Sequence, residues 1–152
     1  MGRSDFGHAD EDLAVDALRM VRKLGGERAL VDFSQQHMHD VVAGITPLDR
    51  DATRADVQKC AEKIAQAFNK CGYATSVENA RGGIQIFQHH CPVAHVAHYF
   101  TDLCSAEHHI LSELLNTPIQ RLSTIAYGAH TCTTNVTVPH NSIQNHAERS
   151  EA

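Results

Sequence analysis

The first half of the chain alternates apolar and polar residues with a period close to that of an α-helix. One apolar face is formed by Leu13, Ala14, Ala17, Leu18, Val21 and Leu24. A glycine pair at 25–26 ends that segment, because glycine readily takes the left-handed backbone conformation that closes helices. Similar patterns over residues 27–43 and 53–70 end at Gly44 and Gly72. The sequence therefore predicts three consecutive helices.

After these helices the pattern changes to short apolar runs that are separated by turn residues. Residues 73–78 and 84–88 predict the two strands of a hairpin, because the residues between them favour a turn. Residues 119–127 and 132–138 predict a second hairpin, whose strands meet across a glycine. The second half of the chain is therefore expected to supply a sheet.

Two helices are predicted between the hairpins. The first begins at Cys91-Pro92, since proline suits the first turn of a helix, and the second begins near Cys104. The expected fold is α+β: N-terminal helices followed by a small antiparallel sheet of two hairpins separated by two helices. We expect residues 1–139 to form one domain and the polar residues 140–152 to form a disordered tail.

Composition is that of a soluble globular protein. The 152 residues carry a formal net charge of −5 without a basic block, which argues against unaided binding of nucleic acid. The sequence shows neither an apolar run long enough for a membrane helix nor a secretory signal, so we expect a cytoplasmic protein without membrane contact. Because cytosolic thiols stay reduced, the five cysteines indicate metal binding, redox chemistry or core packing rather than disulfides.

The cysteines fall into two groups by position. Cys60 and Cys71 lie on or near the apolar face of the third predicted helix, where we expect them to pack in the core. Cys91, Cys104 and Cys132 stand at the boundaries of predicted elements, and the helix N-terminus predicted at Cys91 favours a thiolate. Thiolates at loop edges suit an iron–sulfur cluster, but the spacing lacks a specific CxxC pair. From spacing alone, cluster binding and core packing stay open.

The segments around these cysteines form a recognisable pattern. They are His89-His90-Cys91-Pro92-Val93-Ala94, Asp102-Leu103-Cys104-Ser105-Ala106-Glu107, Pro118-Ile119-Gln120-Arg121-Leu122-Ser123-Thr124-Ile125 and Cys132-Thr133-Thr134-Asn135-Val136. The start of the chain adds Phe6-Gly7-His8-Ala9 and Asp12-Leu13-Ala14. With these segments, residues 6–138 resemble the C-terminal sensor domain of SufR-type regulators of the actinobacterial type, which repress iron–sulfur assembly operons.

The resemblance implies three cysteine ligands, at the positions of Cys91, Cys104 and Cys132, that hold a [4Fe-4S] or [2Fe-2S] cluster. It also implies a homodimer whose DNA binding depends on the cluster. Such regulators carry a winged helix–turn–helix module before the sensor domain, and this sequence begins where that module should end. We therefore expect DNA contact only through a helix–turn–helix module absent from this chain, and a regulatory rather than an enzymatic role.

Three cysteines leave one iron of a cluster without a protein thiolate. Glu107 lies three residues after Cys104, so both side chains share a helix face, and His90 adjoins Cys91. Carboxylate and imidazole both bind iron, so Glu107 and His90 are the candidate fourth ligands, beside an external thiol or none. The chain holds 12 histidines, most of which we expect at the surface or hydrogen-bonded near the cluster.

Other functions compete with the cluster sensor. Zinc accepts three cysteines and one histidine, so the alternative is a zinc-binding structural or dimerisation domain without a redox cluster. A dimerisation module without any cofactor is a further alternative. An enzyme with a cysteine nucleophile beside a histidine is not favoured, because the sequence lacks a nucleophile elbow, a phosphate loop and paired carboxylates.

Overall fold

The computed structural model describes the backbone of residues 2–80, 82–125, 128–129 and 131–138, and side chains from Ala9 onward. The predicted tail over 140–152 lies outside the described residues. The elements in chain order are α1 Gly2–Val41, α2 Arg54–Lys70, β1 Ala74–Ala80, β2 Gly83–His90, α3 Ala94–Tyr99, α4 Asp102–Leu115, β3 Ile119–Ser123 and β4 Cys132–Thr137.

The strands form one antiparallel sheet in the order β1-β2-β4-β3. Each predicted hairpin is present, and β2 pairs with β4 from Gly83↔Thr137 to Gln88↔Cys132, which joins the two hairpins edge to edge. The expected α+β fold with N-terminal helices is confirmed. The strand predicted over 119–127 is shorter, because its pairing shifts register after Arg121 and the chain enters a turn at Ile125.

The predicted break at the glycine pair is confirmed within α1. Gly26 has φ 76° and ψ −174°, which lie outside helical geometry, so α1 consists of two helical arms that meet at this residue. A residue with a Cβ atom rarely takes such a positive φ, so glycine is needed here. Helical periodicity on both sides of Gly26 therefore comes from two segments with different directions.

Helix α2 begins with a capping box. Thr53 Oγ1 accepts a hydrogen bond from the Asp56 backbone N–H at 3.2 Å, and Asp56 Oδ2 accepts one from the Thr53 backbone N–H at 2.9 Å. The buried face of α2 includes Cys60, which is 3% exposed, as predicted. The core position predicted for Cys71 is wrong, because Cys71 is exposed. The helix ends at Lys70, so the helical pattern no longer determines the direction of the Cys71 side chain.

Two hydrophobic clusters meet beside the sheet. The larger one packs α2, α4 and the sheet around Phe68, Ile84, Leu111 and Leu115. The smaller one packs the arms of α1 against α3 and α4, and is formed by Val15, Leu18, Leu30, Val96, Ala97, Phe100 and Leu103. Cys91 packs against the larger cluster and Cys104 against the smaller one, so the two cysteines stand where the clusters meet.

The helix predicted to begin at Cys91-Pro92 starts later. Cys91, Pro92 and Val93 form a turn closed by a hydrogen bond of 3.1 Å from the Ala94 N–H to the Cys91 carbonyl, and α3 begins at Ala94. The reason is that β2 continues to His90, so the chain must first turn away from the sheet. In the described part of the chain, no helix has the length and hydrophobicity needed to cross a membrane.

Candidate metal centre

An irregularity in β2 directs the side chain of Cys91. Ala74 pairs with His90, but Thr75 pairs with Gln88, so β2 carries one extra residue, His89. A bulge of this kind reverses the alternation of side chains beyond it. Cys91 therefore lies on the same side of the sheet as Ile84, and it packs against the larger core cluster.

Cys104 lies in the first turn of α4 and is half-buried. The N-cap residue Thr101 makes no side-chain capping hydrogen bond. Glu107 follows one helical turn later and is 6% exposed. The predicted common face of Cys104 and Glu107 is confirmed, because both line one small cavity together with Cys91.

Cys132 is the first residue of β4 and is 6% exposed. Its Sγ accepts a hydrogen bond from the Ile125 backbone N–H at 3.0 Å, which ties the thiol to the turn that follows β3. Its partner in the sheet is Gln88, three residues before Cys91. Pairing of β4 with β2 thus places Cys132 near the end of β2, where the chain continues to Cys91.

The three thiols are close enough to affect one another electrostatically. Burial raises the pKa of Cys91 to about 12, the Val93 N–H opposes this shift, and charges on Glu107, Cys132 and Cys104 add to it. Burial likewise raises the pKa of Cys104 to about 11, with Glu107 and Cys132 contributing and Arg121 opposing. Burial also raises the pKa of Cys132. Cys91, Cys104 and Glu107 therefore line one cavity, whereas Cys132 does not line it, although the charge of Glu107 raises the pKa of its thiol.

The thiolate that the sequence predicted at Cys91 is wrong for the protein without a metal. No helix starts at this residue, and removal of the thiol from water disfavours its charged form more than the local N–H favours it. The cysteines are consequently neutral thiols near neutral pH. A metal that binds here must displace their protons.

Glu107 forms a buried ion pair with Arg121. Arg121 Nη2 donates to Glu107 Oε2 at 3.0 Å, Arg121 Nε donates to Thr134 Oγ1 at 3.2 Å, and Gln88 also hydrogen-bonds the carboxylate. Burial raises the pKa of Glu107, whereas Arg121 and Gln88 lower it. The carboxylate is therefore placed beside Cys91 and Cys104, but with its negative charge already neutralised.

The second candidate ligand is placed differently. His90 is exposed at the end of β2, pairs across the sheet with Ala74, and does not line the cavity that Cys91, Cys104 and Glu107 share. The extra residue in β2 explains this, because Cys91 turns inward and its neighbour then faces outward. Ligation by His90 stays a prediction that needs a rearrangement of this strand end.

Free space around the thiols is uneven. The cavity between Cys91, Cys104 and Glu107 has room for about one water molecule. On the other side of Cys104, an open cleft of about 360 Å³ is lined by Thr101, Ser105, His108, Arg121 and Thr124. Within the residues the structure describes, no three His, Cys, Asp or Glu side chains are grouped for binding a single metal ion.

The donor type is that of an iron–sulfur cluster, because cysteine thiolates hold such clusters. Cys91, Cys104 and Cys132 are half-buried or buried thiols from three separate segments, and they would be the residues that hold a cluster.

Sequence reasoning missed the polar residues behind the cysteines. Gln88 continues the buried series Ile84 and Ile86 along β2, and Arg121 lies on β3 between half-buried residues. A polar residue in a buried alternation was the available signal, because such residues need polar partners. Their partner, Glu107, could not be deduced, since the register of β2 against β4 and β3 was not known.

No protein-family model, no curated protein and no solved structure matches this chain. The likeness to SufR-type regulators therefore stays an expectation from the sequence. The geometry around Cys91, Cys104 and Cys132 carries the functional argument.

Proposed function

We propose that this domain binds an iron–sulfur cluster through Cys91, Cys104 and Cys132 and serves as the sensor domain of a transcriptional repressor of iron–sulfur assembly genes. The observation that supports the proposal is that Cys91, just after β2, and Cys104 of α4 line one cavity with the buried Glu107, while Cys132 of β4 pairs with Gln88 near the end of β2. A bound cluster supplies an oxidant-sensitive link between these three segments. Its state would control DNA binding by the full-length regulator.

The segment between the first two cysteines offers a route from the centre to α1. It contains α3, where His95 Nε2 lies 3.1 Å from Asp12 Oδ1 of α1. The guanidinium of Arg19 lies 5.6 Å from the centroid of the Tyr99 ring, which adds a cation–π contact. Loss of the cluster would free both ends of this segment and loosen its contacts with α1.

Hydrogen exchange tests this route. On removal of the cluster, we expect faster amide exchange in α3 and in residues 9–25 of α1, with little change in α2, which contacts neither segment strongly. Unchanged amide exchange in α3 would contradict the sensing mechanism. It would not contradict cluster binding, which the absorption spectrum tests.

The proposal includes a homodimer, and α1 carries an exposed apolar face suited to it. Leu13, Met20 and Leu24 are 69%, 50% and 79% exposed and follow one another at intervals of seven and four residues. This spacing places them on one side of the helix. We expect Leu24→Glu to convert a dimer to a monomer in sedimentation experiments, whereas Lys23→Glu at the neighbouring exposed position leaves the mass unchanged.

The decisive experiment is purification without oxygen, followed by a visible absorption spectrum and assays for iron, sulfide and zinc. We expect a brown protein with broad charge-transfer absorption that Cys91→Ala, Cys104→Ala and Cys132→Ala each abolish. Two matched controls retain it: Cys60→Ala removes a buried thiol from the core, and Cys71→Ser removes an exposed one.

Two results would reject the cluster. Stoichiometric zinc bound through the same three cysteines would assign a zinc-binding structural domain. A colourless protein that stays colourless after reconstitution with iron and sulfide, and that holds no zinc, would assign a dimerisation module without a cofactor.

A further inference from the structure

The first arm of α1, residues 9–25, packs against its own chain through one face. Val15 and Leu18 are 3% and 5% exposed and belong to the smaller hydrophobic cluster. Arg22 extends over α3, where its guanidinium carbon lies 5.1 Å from the centroid of the Phe100 ring. These contacts fix the direction of the arm, so the side chains on its opposite face have a defined arrangement at the surface.

That opposite face carries an apolar seam. It consists of Leu13, Ala17, Met20 and Leu24, all exposed, at intervals of four, three and four residues. This is the spacing of the d and a positions of a coiled coil, whose side chains pack against a second helix. The seam ends where the arm ends, at the break in helical geometry at Gly26.

Charged residues divide the same arm into two halves of opposite sign. Residues 10–16 carry four carboxylates and neither Lys nor Arg, whereas residues 19–23 carry three basic side chains and no carboxylate. A second copy of the arm that runs in the opposite direction places each acidic half beside a basic half. A copy that runs in the same direction places like charges beside each other. The arm is therefore complementary in charge to itself in the antiparallel orientation.

We propose that the seam binds the same seam of a second copy of this chain, with the two arms antiparallel. The proposal rests on the homodimer included in the proposed function and specifies how its subunits pair. Leu13 would meet Leu24 of the second copy, and Ala17 would meet Met20 of the second copy. Each contact occurs twice, because a two-fold axis relates the subunits.

The residues that flank the seam agree with this orientation. Asp16 and Lys23, both exposed, occupy equivalent flanking positions, which lie beside each other in an antiparallel pair of helices. Asp16 would therefore form an ion pair with Lys23 of the second copy. On the other side of the seam, the apolar residues Ala14 and Val21 would meet in the same way. In a parallel pair, Asp16 would lie beside Val21 and would lack this cation.

The apolar seam and the flanking charges have different roles. Exposed ion pairs add little to affinity, so the Asp16–Lys23 pairs select the orientation, while burial of the seam holds the subunits together. Lys23→Glu should therefore leave the mass of the dimer unchanged but remove its preference for the antiparallel orientation. Leu24→Glu places a charge within the seam and should separate the subunits.

Disulfide cross-linking measures the orientation in the cluster-free protein. Leu13→Cys and Leu24→Cys are each made in the Cys71→Ser protein, which lacks the exposed native thiol, and are oxidised with diamide separately and after co-expression. We expect about tenfold more linked dimer from the co-expressed pair than from either variant alone, because only the antiparallel arrangement brings positions 13 and 24 within reach of a disulfide. Mass spectrometry of non-reduced peptides identifies the link.

Charge exchange provides the second measurement. With Lys23→Glu, two carboxylates lie beside each other in the antiparallel dimer, so Leu13→Cys should link more strongly with itself. Asp16→Lys/Lys23→Glu exchanges the two charges and should restore the original pattern. Three results would overturn the proposal: a monomer, a dimer in which Leu13→Cys links with itself as efficiently as the co-expressed pair links, and a dimer in which none of the samples links.

The cross-links and the absorption spectrum test separate statements. A link between positions 13 and 24 in a protein that forms no cluster would support the antiparallel pairing and reject the cluster sensor. A brown protein that loses its colour in the cysteine variants, but that forms no such link, would support cluster binding and overturn the antiparallel pairing.

Discussion

Arg121→Met tests the buried ion pair behind the cysteines. Arg121 Nη2 lies 3.0 Å from Glu107 Oε2, and the two side chains are only 15% and 8% exposed. Without the guanidinium, Glu107 is a buried carboxylate that lacks its cation, and such a loss lowers the free energy of unfolding by about 3–5 kcal/mol. The exposed pair Asp16–Arg19 provides the control, because Asp16→Asn should cost under about 1 kcal/mol and leaves the contact of Arg19 with Tyr99 in place.

The loss of unfolding free energy in Arg121→Met should depend on pH. Burial raises the pKa of Glu107 above the ordinary value of a glutamate side chain and Arg121 opposes that shift, so the pKa rises further in the variant. A group with a raised pKa binds its proton more tightly in the folded state than in the unfolded state. Its contribution to stability is therefore present at low pH and is lost as the pH rises through the folded-state pKa. The variant should be most destabilised at high pH and should regain stability as the pH falls through the folded-state pKa of Glu107.

Urea unfolding of the cluster-free protein, followed by circular dichroism on both sides of neutrality, measures this deficit. Glu107→Gln/Arg121→Met removes the buried charge together with its partner, so it should be more stable than Arg121→Met alone above neutral pH. A deficit under about 1 kcal/mol, or one that does not change with pH, would refute the buried ion pair as described.

Three further predictions concern the cluster-free protein. Near neutral pH, iodoacetamide should alkylate the exposed Cys71 before Cys91, because burial raises the pKa of the Cys91 thiol to about 12; peptide mass spectrometry gives the order, and the reverse order would contradict the burial argument. Thr53→Ala should lower the free energy of unfolding by about 1 kcal/mol in urea, because the capping box is lost, and an unchanged value would mean that the cap contributes nothing. Gly83→Ala should lower the midpoint temperature of unfolding, since a Cβ atom would lie 2.6 Å from the Val136 carbonyl oxygen. An unchanged midpoint would show that β2 and β4 can move apart at this position without loss of stability.

The helices and hairpins were predictable because their signals are local. Helical spacing and glycines at turns each act within a few residues, and the elements lie close to the expected ranges. One error arose where a longer-range contact decides the outcome, because the extension of β2 to His90 delays α3. The other was local: α2 ends at Lys70 as predicted, and Cys71, just beyond it, is exposed and not in the core.

A common site for the three cysteines was expected only from the family resemblance, and it stays a proposal. Spacing alone left Cys91, Cys104 and Cys132 open to core packing, because neither the register of β2 against β4 nor the extra residue at His89 can be read from hydrophobic periodicity. Arg121 has no signal in sequence that ties it to Glu107, since the two residues meet through packing of β3 and α4. Tertiary contacts of this kind explain the residues that were missed.

Burial of the cysteines has opposite consequences for loading and for protection of the centre. It keeps Cys91 and Cys104 protonated, with pKa values of about 12 and about 11, so a metal must release their protons and loading is favoured as the pH rises. The same burial keeps thiolate away from water, and protonated thiols oxidise slowly. Under the proposed function, a cluster-free domain with neutral thiols would therefore persist and be reloaded, whereas the helix-end thiolate predicted from the sequence would be exposed to oxidation. That combination would suit the proposed sensor.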